Sequence, residues 1–180
     1  MKKKLNSCAG FSLVEMLCAV AVLMLLTMMV NTGLSVAMKT YYALTAEAET
    51  QLLLNSLTNA IAGELRYAHE TKTAGSSGAL ESYNGGRALT LKDGQVYVDD
   101  KELLPKEKDG KWGGAYKNGE YQVKSMTITP TIETDDENNP TGCYFTLNLE
   151  VVCKNTGTSA EAKDVVIRCL NPPKKEGTSP

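Results

Sequence analysis

The chain falls into three stretches with different hydrophobic patterns. Between residues 5 and 38 the only charged side chain is Glu15, and residues 16–38 carry no charge. From residue 39 to residue 70 apolar side chains recur every three or four positions, a period that predicts an amphipathic helix. Residues 71–86, rich in Gly, Ser, Thr and Ala, predict an exposed loop. From residue 88 onward apolar and polar side chains alternate, which predicts strands. The pattern predicts an α+β fold in which a long N-terminal helix packs against an antiparallel β-sheet.

The first stretch, residues 11–38, is a predicted transmembrane helix. At about 1.5 Å per residue it is long enough to cross the ~30 Å hydrocarbon core of a bilayer. Lys2, Lys3 and Lys4 precede it, and basic residues hold the flank of a span in the cytoplasm. We therefore expect a single-pass membrane protein with a cytoplasmic N-terminus and an extracytoplasmic domain.

Two common export signals do not account for this leader. The small-residue cleavage site of a secretory signal lies after the apolar run, whereas here Ser7, Ala9 and Gly10 lie before it. A lipoprotein signal is excluded because no apolar segment precedes Cys8. Cleavage at the small residues would leave the span on the mature chain.

The run Gly10-Phe11-Ser12-Leu13-Val14-Glu15 resembles the class III signal of type IV pilins and type II secretion pseudopilins. The resemblance implies cleavage between Gly10 and Phe11 by a prepilin peptidase, which leaves residues 1–10 as a cytoplasmic leader. It also implies N-methylation of Phe11 and an assembly role for Glu15. The implied partners are the peptidase/methyltransferase, other pilins or pseudopilins, and a membrane platform with a motor ATPase. A plain signal anchor is the alternative.

The role implied for Glu15 also has a physical basis. A carboxylate within a membrane segment costs a few kcal/mol unless it is paired, and cleavage would create a cation, the α-amino group of Phe11. In a staggered bundle the amine of one subunit can approach Glu15 of its neighbour, so that a buried charge pair sets the register. The alternative is that Glu15 reaches the headgroups and pairs with nothing.

The amphipathic continuation, residues 39–70, has one apolar stripe, predicted to face the domain. Its members are Leu53, Leu57, Ile61, Leu65 and Ala68. Upstream, Asn31-Thr32-Gly33 are weak helix formers, so a bend or a stretch that melts on assembly is one hypothesis. The ending Glu64-Leu65-Arg66 with Ala68 is similar to the close of the long helix in minor pseudopilins.

Residues 71–170 are predicted to form an extracytoplasmic β-rich domain, followed by a flexible tail at 171–180. Asp93-Gly94 predicts a hairpin between residues 88–92 and 95–99. Pro130 predicts that the strand at 121–133 is an edge or bent strand. The strongest strand is 143–154, with these residues on its inward face: Cys143, Phe145, Leu147, Leu149, Val151 and Cys153.

The predicted partner of that strand, residues 163–170, determines what we expect of the cysteines. Pairing inward faces would put Cys153 near Lys163 or Val165, and Cys169 near Leu147 or Leu149. The cysteines are then reduced packing residues and no disulfide is expected. A Cys153–Cys169 bridge, which would enclose the C-terminal region as in many pilins, requires that this register be wrong.

Several kinds of functional site find no support in the sequence. With His69 as the single histidine and no C-x-x-C pair, neither a metal site nor a Ser/His/Asp set is predicted. The acidic loop 135–139 lacks EF-hand spacing, so we expect no calcium and no other cofactor. Trp112 is expected to fill the edge of the small hydrophobic core. The alternative is that it is exposed and forms a hot spot for binding another protein. A net charge of -2 without basic clusters gives no sign of nucleic-acid binding.

The sequence therefore predicts a structural protein rather than an enzyme. The first hypothesis is a minor pilin or pseudopilin in a filament-like assembly for protein secretion or DNA uptake. The alternative is a subunit of a surface type IV pilus used in adhesion or motility. A membrane-tethered binding domain is a third hypothesis, of a different class.

Overall fold

The computed structural model describes residues 12–68, 70–74, 79–104, 116, 119–136 and 140–170. The chain divides into two compact units, Met1–Tyr42 and Ala43–Pro180, and helix α1 (Leu13–Leu65) contributes residues to both. The described residues also form eight strands. These are β1 (Thr71–Ala74), β2 (Ala79–Tyr83), β3 (Leu89–Lys92), β4 (Gln95–Val98), β5 (Lys101–Glu102), β6 (Tyr121–Thr134), β7 (Pro140–Cys153) and β8 (Ser159–Arg168).

The described part of the first unit is the beginning of α1, from Leu13 to Tyr42, preceded by Ser12. All of its side chains are exposed. The helix is continuous through Asn31, Thr32 and Gly33. A Cβ added at Gly33 would meet nothing within 4 Å. Melting of this stretch on assembly stays a prediction.

In the second unit the predicted apolar stripe of α1 is confirmed as part of the core. Ala68 is buried just beyond the helix. The helix ends at Leu65, before the predicted boundary at residue 70. The reason is that the Ala68 N–H donates to the Leu65 carbonyl (3.0 Å), which tightens the turn, and Thr71 then begins β1. The buried residues of α1 are Ala46, Thr50, Leu53, Leu54, Leu57, Ile61 and Leu65.

The strands of the described residues form three antiparallel sheets, ordered β1-β2, β3-β4-β5 and β6-β7-β8. The predicted Asp93-Gly94 hairpin is confirmed, with φ of 50° and 75° at its two turn residues. A Cβ at Gly94 would lie 2.6 Å from Cβ of Gln122, and the Gly94 carbonyl accepts from the Val123 N–H (2.8 Å). Glycine therefore lets the hairpin tip dock on β6.

The largest sheet packs its central strand, β7, into the core. Every inward residue predicted for β7 is buried, from Cys143 at 6% exposed to Cys153 at 0%. The strand β6 lies at the edge of the sheet, where Pro130 faces Phe145. The prediction of an edge strand at Pro130 is thus confirmed.

The register predicted for β8 is wrong. This strand begins at Ser159 rather than residue 163, and Ser159 faces Val152. The hairpin loop is shorter than predicted because Gly157 adopts a positive φ of 71°. A bulge then shifts the register, and there the Asp164 N–H donates to Oδ1 of Asn148 (2.8 Å).

The new register changes the neighbours of the cysteines. The Cys169 N–H donates to the Cys143 carbonyl (2.9 Å), whereas Cys153 lies at the other end of β7. A span of ten strand residues is about 33 Å, so Cys153 and Cys169 are too far apart to form a disulfide bond. Cys169 lies beside Cys143 instead of near Leu147 or Leu149.

We expect Leu57→Ala to lower the free energy of unfolding by about 2–5 kcal/mol, because it opens a cavity in the core. Leu57 is 0% exposed. The matched control is Leu52→Ala on the same helix, where the side chain is 68% exposed; it should change stability by no more than about 0.5 kcal/mol. Urea unfolding of the detergent-solubilised chain measures both. Equal losses in the two variants would contradict the burial of this stripe.

Candidate functional site

The start of α1 is held by a reciprocal pair of hydrogen bonds between Ser12 and Glu15. The Ser12 N–H donates to Oε2 of Glu15 (3.2 Å), and the Glu15 N–H donates to Oγ of Ser12 (3.2 Å). The first intrahelical bond, from the Met16 N–H to the Ser12 carbonyl, follows at 3.2 Å. This is a capping box, which satisfies two backbone donors that the first turn would leave unpaired.

The capping role of Glu15 was missed from the sequence, although its signal is present. A Ser-x-x-Glu run before an apolar stretch is the signature of a capping box, and Ser12 and Glu15 have that spacing. A carboxylate in the first turn also interacts favourably with the positive end of the helix dipole. The structure thus gives Glu15 a partner within its own chain.

The other residues of the predicted processing site lie outside the described residues. These are the leader lysines Lys2, Lys3 and Lys4 and the cleavage pair Gly10 and Phe11. Cleavage between Gly10 and Phe11 would make Ser12 the second residue of the mature chain. The capping box therefore lies directly after the predicted cut.

Among the described residues, α1 is the one helix long and apolar enough to cross a membrane. Its hydroxyl side chains within the apolar run bond back to carbonyls four residues earlier. The acceptors are the carbonyls of Leu23 for Thr27 (2.8 Å), Met28 for Thr32 (2.9 Å) and Asn31 for Ser35 (2.9 Å). Such bonds let polar side chains sit in hydrocarbon with their donors satisfied.

Aromatic side chains follow the apolar run. The rings of Tyr41 and Tyr42 are exposed and meet edge to face, with centroids 6.0 Å apart. Lys39 comes shortly before them. Tyrosine and lysine are typical of the level of the lipid headgroups, so this position fits the end of a span.

Two buried tyrosines join the second unit's helical segment to its sheets. Tyr121 on β6 donates its hydroxyl to Oε2 of Glu49, and Tyr83 on β2 donates to Oε2 of Glu64 (3.3 Å). Burial raises the pKa of both phenols, and the nearby carboxylates raise it further. The pKa of Tyr83 reaches about 12.

Arg87 extends the Tyr83 contact into a small ionic network. Its guanidinium lies 2.9 Å from Glu64 and 2.9 Å from Asp99, with its Cζ 5.5 Å from the centre of the Tyr83 ring. The hydrogen bond from Arg87 holds the pKa of Asp99 below its usual value. Because these charges are partly exposed, we expect them to orient Tyr83 more than to stabilise the fold.

Within the described ranges no group of three or more His, Cys, Asp or Glu side chains could hold a metal ion. Asp135 and Asp136 of the acidic loop are exposed, while residues 137–139 lie outside those ranges. His69, Trp112 and the tail 171–180 are also outside them. The expectation of no calcium or other cofactor stays a prediction.

Comparison with known proteins gives one match. Residues 5–31 match the family model described as the prokaryotic N-terminal methylation motif. No curated protein and no solved structure matches the chain. The match covers residues 5–10 of the leader, the predicted cleavage pair, the capping box and most of the apolar run. With α1 it indicates a membrane-anchored chain.

We expect the domain to lose stability above pH 10, with Tyr83 contributing. Its pKa rises from 10.0 in an unfolded chain to about 12 on folding, so between these values the unfolded state releases its proton first. Stability contributed by Tyr83 is therefore complete below pH 10 and is lost as the pH approaches 12. Tyr83→Phe should cost about 1 kcal/mol at pH 8, and this cost should shrink above pH 10.

Urea unfolding from pH 8 to pH 12 measures this dependence. The control is Tyr67→Phe, whose ring is 63% exposed and which should follow the parent chain throughout. A cost of Tyr83→Phe that stays constant to pH 12 would contradict the contact between the Tyr83 hydroxyl and the Glu64 carboxylate.

Proposed function

We propose that this chain, whose class III signal and long apolar helix fit a type IV pilin or pseudopilin, is a structural subunit of a filament built from such chains. The observation that carries the proposal is the methylation motif at residues 5–31, with the capping box of Ser12 and Glu15 inside it. The motif implies processing by a prepilin peptidase and assembly with other pilins. The proposed role is therefore structural rather than catalytic.

The proposed sequence of events begins in the membrane. The leader lysines keep the N-terminus in the cytoplasm, and the peptidase hydrolyses the bond between Gly10 and Phe11. The new α-amino group of Phe11 is then methylated. After cleavage the span packs beside the spans of other subunits, moved by an assembly platform and a motor ATPase.

Glu15 can serve both states of the subunit. In the free chain its Oε2 accepts from the Ser12 N–H. A carboxylate has a second oxygen, so Oε1 can accept a hydrogen bond from the amine of a neighbouring subunit. The cap holds the carboxylate at the helix start, and the charge pair offsets its desolvation in the bundle.

The favoured system is a pseudopilus for secretion or DNA uptake, with this chain as a minor subunit. The support is the helix ending Glu64-Leu65-Arg66 with Ala68, similar to that of minor pseudopilins. A surface type IV pilus is the second candidate. Recovery of the protein as the main component of sheared surface fibres would favour the pilus.

We expect the membrane-extracted protein to lack residues 1–10 and to carry one methyl group on Phe11. Intact-mass measurement tests both changes. Gly10→Val should retain the leader, because the bulky side chain occupies the position next to the cut bond. The control is Gly33→Ala, where a Cβ has open space and processing should be normal. A parent protein that keeps residues 1–10 would instead support a signal anchor or a tethered binding domain.

A second experiment separates the charge of Glu15 from its capping role. Glu15→Gln keeps a capping box, since Gln also serves at this position, but removes the charge. Ser12→Ala keeps the charge and loses the hydroxyl cap, at a cost of about 1 kcal/mol. We expect both variants to be cleaved and only Glu15→Gln to lose most of its incorporation into filaments.

Immunoblots of sheared filaments and of membranes measure the incorporated fraction of each variant. Normal incorporation of Glu15→Gln would show that the charge is dispensable. Equal failure of Ser12→Ala and Glu15→Gln would show that the cap, rather than the charge, is what assembly needs.

A further inference from the structure

Two cysteines lie opposite each other at the open end of the β7–β8 hairpin. Tyr144 faces Arg168 as the last pair of the ladder, and the Cys169 N–H donates to the Cys143 carbonyl at 2.9 Å. Residues directly opposite each other in antiparallel strands have Cα atoms about 4.5–5.5 Å apart. That separation is within the range of disulfide-bonded cysteines.

The side chains meet as well as the backbones. The thiols of Cys143 and Cys169 are in hydrogen-bond contact. Cys143 is buried, whereas Cys169 is partly exposed and packs against the core. Both sulfurs lie on the core side of the sheet, so a bond between them can form without either side chain moving to the other face.

The remaining described cysteines provide a contrast. Cys18 lies in the apolar run of α1, and Cys153 lies at the opposite end of β7, where its N–H bonds to the Thr158 carbonyl. Of the described cysteines, Cys143 and Cys169 alone are in thiol contact with each other. Simple packing would be served equally by valine or alanine, and it would not require two thiols at one place.

We propose that Cys143 and Cys169 form a disulfide bond in the exported domain. The proposal rests on the proposed function only for the export of the domain to an oxidising compartment, where disulfides persist. The oxidant is a disulfide of that compartment, on a protein or a small molecule. One cysteine attacks it as a thiolate and forms a mixed disulfide; the other then displaces the partner's sulfur. The two cysteines lose two protons and two electrons, and the two sulfurs of the oxidant are released as two thiols.

In the folded domain Cys169 is the more accessible of the two thiols. Burial raises the pKa of its thiol to about 12, and burial also raises the pKa of Cys143. Thiolates are the attacking species, so exchange is slow once the domain has folded. The bridge therefore forms most readily while the hairpin is still assembling, and it is then protected by the same burial.

The bridge would secure the C-terminal end of β8. The strand β8 lies at the edge of its sheet, and the Leu170 N–H after it donates to the Arg66 carbonyl near the end of α1 (2.8 Å). A covalent link at Cys169 keeps this edge strand and that contact in place. It also limits the conformations of the unfolded chain, which is how a disulfide stabilises.

The first test uses the full chain purified in detergent. It is unfolded and refolded in mixtures of oxidised and reduced glutathione, quenched with acid, and mapped by mass spectrometry after thiol alkylation in denaturant. We expect a linked peptide pair containing Cys143 and Cys169 that lacks two hydrogen atoms, with Cys153 alkylated. Alkylation of both Cys143 and Cys169 in fully oxidising mixtures would overturn the proposal, as would a linked pair that includes Cys153.

Matched variants complete the test. Cys153→Ser should leave the linked pair intact, and Cys169→Ser should abolish it. Reduction should lower the melting temperature of the parent chain by roughly 5 °C or more and leave that of Cys169→Ser unchanged. An equal shift in both would overturn a stabilising role for the bridge.

Acid-trapped cells show whether the native protein carries the bridge, and free thiols at both positions there would contradict it. If Cys143 and Cys169 stay reduced in the glutathione mixtures, the disulfide proposal is contradicted and the proposed filament role is unaffected. If residues 1–10 are retained, the proposed filament role is contradicted, whereas the purified chain could still form the Cys143–Cys169 disulfide.

Discussion

The second unit depends on the contact between the apolar stripe of α1 and the inward face of β7. Leu57 and Ile61 on the helix and Phe145 and Leu147 on the strand are fully buried in one cluster. The other strands are positioned around this contact, with β6 and β8 pairing on either side of β7. The hydroxyls of Tyr83 and Tyr121 add polar links where a wholly apolar contact would allow sliding.

The first unit depends on a different constraint, the placement of one carboxylate in an apolar segment. Glu15 is tolerated there because it closes its own helix start with Ser12, and its charge is proposed to meet an amine that exists only after cleavage. These roles use different properties of the side chain. As a hydrogen-bond acceptor the carboxylate caps the start of its own helix, and its charge is proposed to pair with the amine of a neighbouring subunit.

Local patterns predicted α1, the β3–β4 hairpin and the strands of the largest sheet. The prediction of a loop at residues 71–86 is wrong, because β1 and β2 pair there in a stretch whose Gly, Ser and Thr residues carry no clear alternation. The Asp93-Gly94 hairpin, the edge position of Pro130 and the inward face of β7 follow from turn chemistry and period-two alternation over short stretches. The register of β8 could not be predicted this way. It depends on a bulge at Asp164, whose N–H donates to Asn148 on the facing strand. The sequence pattern of neither strand indicates such a contact.

The candidate sites also differ in whether their residues are close together or distant along the chain. The Ser12–Glu15 cap was available from the sequence, because both partners lie within one helical turn. The Cys143–Cys169 contact was not, because it follows from the register at the far end of β8. The link between Tyr121 and Glu49 was also beyond sequence reasoning, since those residues are distant along the chain.

In the proposed filament Glu15 pairs with the α-amino group of a neighbouring subunit. The most direct measurement is the distance between the Phe11 nitrogen and the Glu15 carboxylate carbon of another copy, by solid-state NMR on filaments mixed from differently labelled subunits. We expect a contact between copies within about 4 Å, the range of an ion pair. Detection of the Glu15 carboxylate only beside Ser12 of its own chain, with no contact between copies, would contradict it.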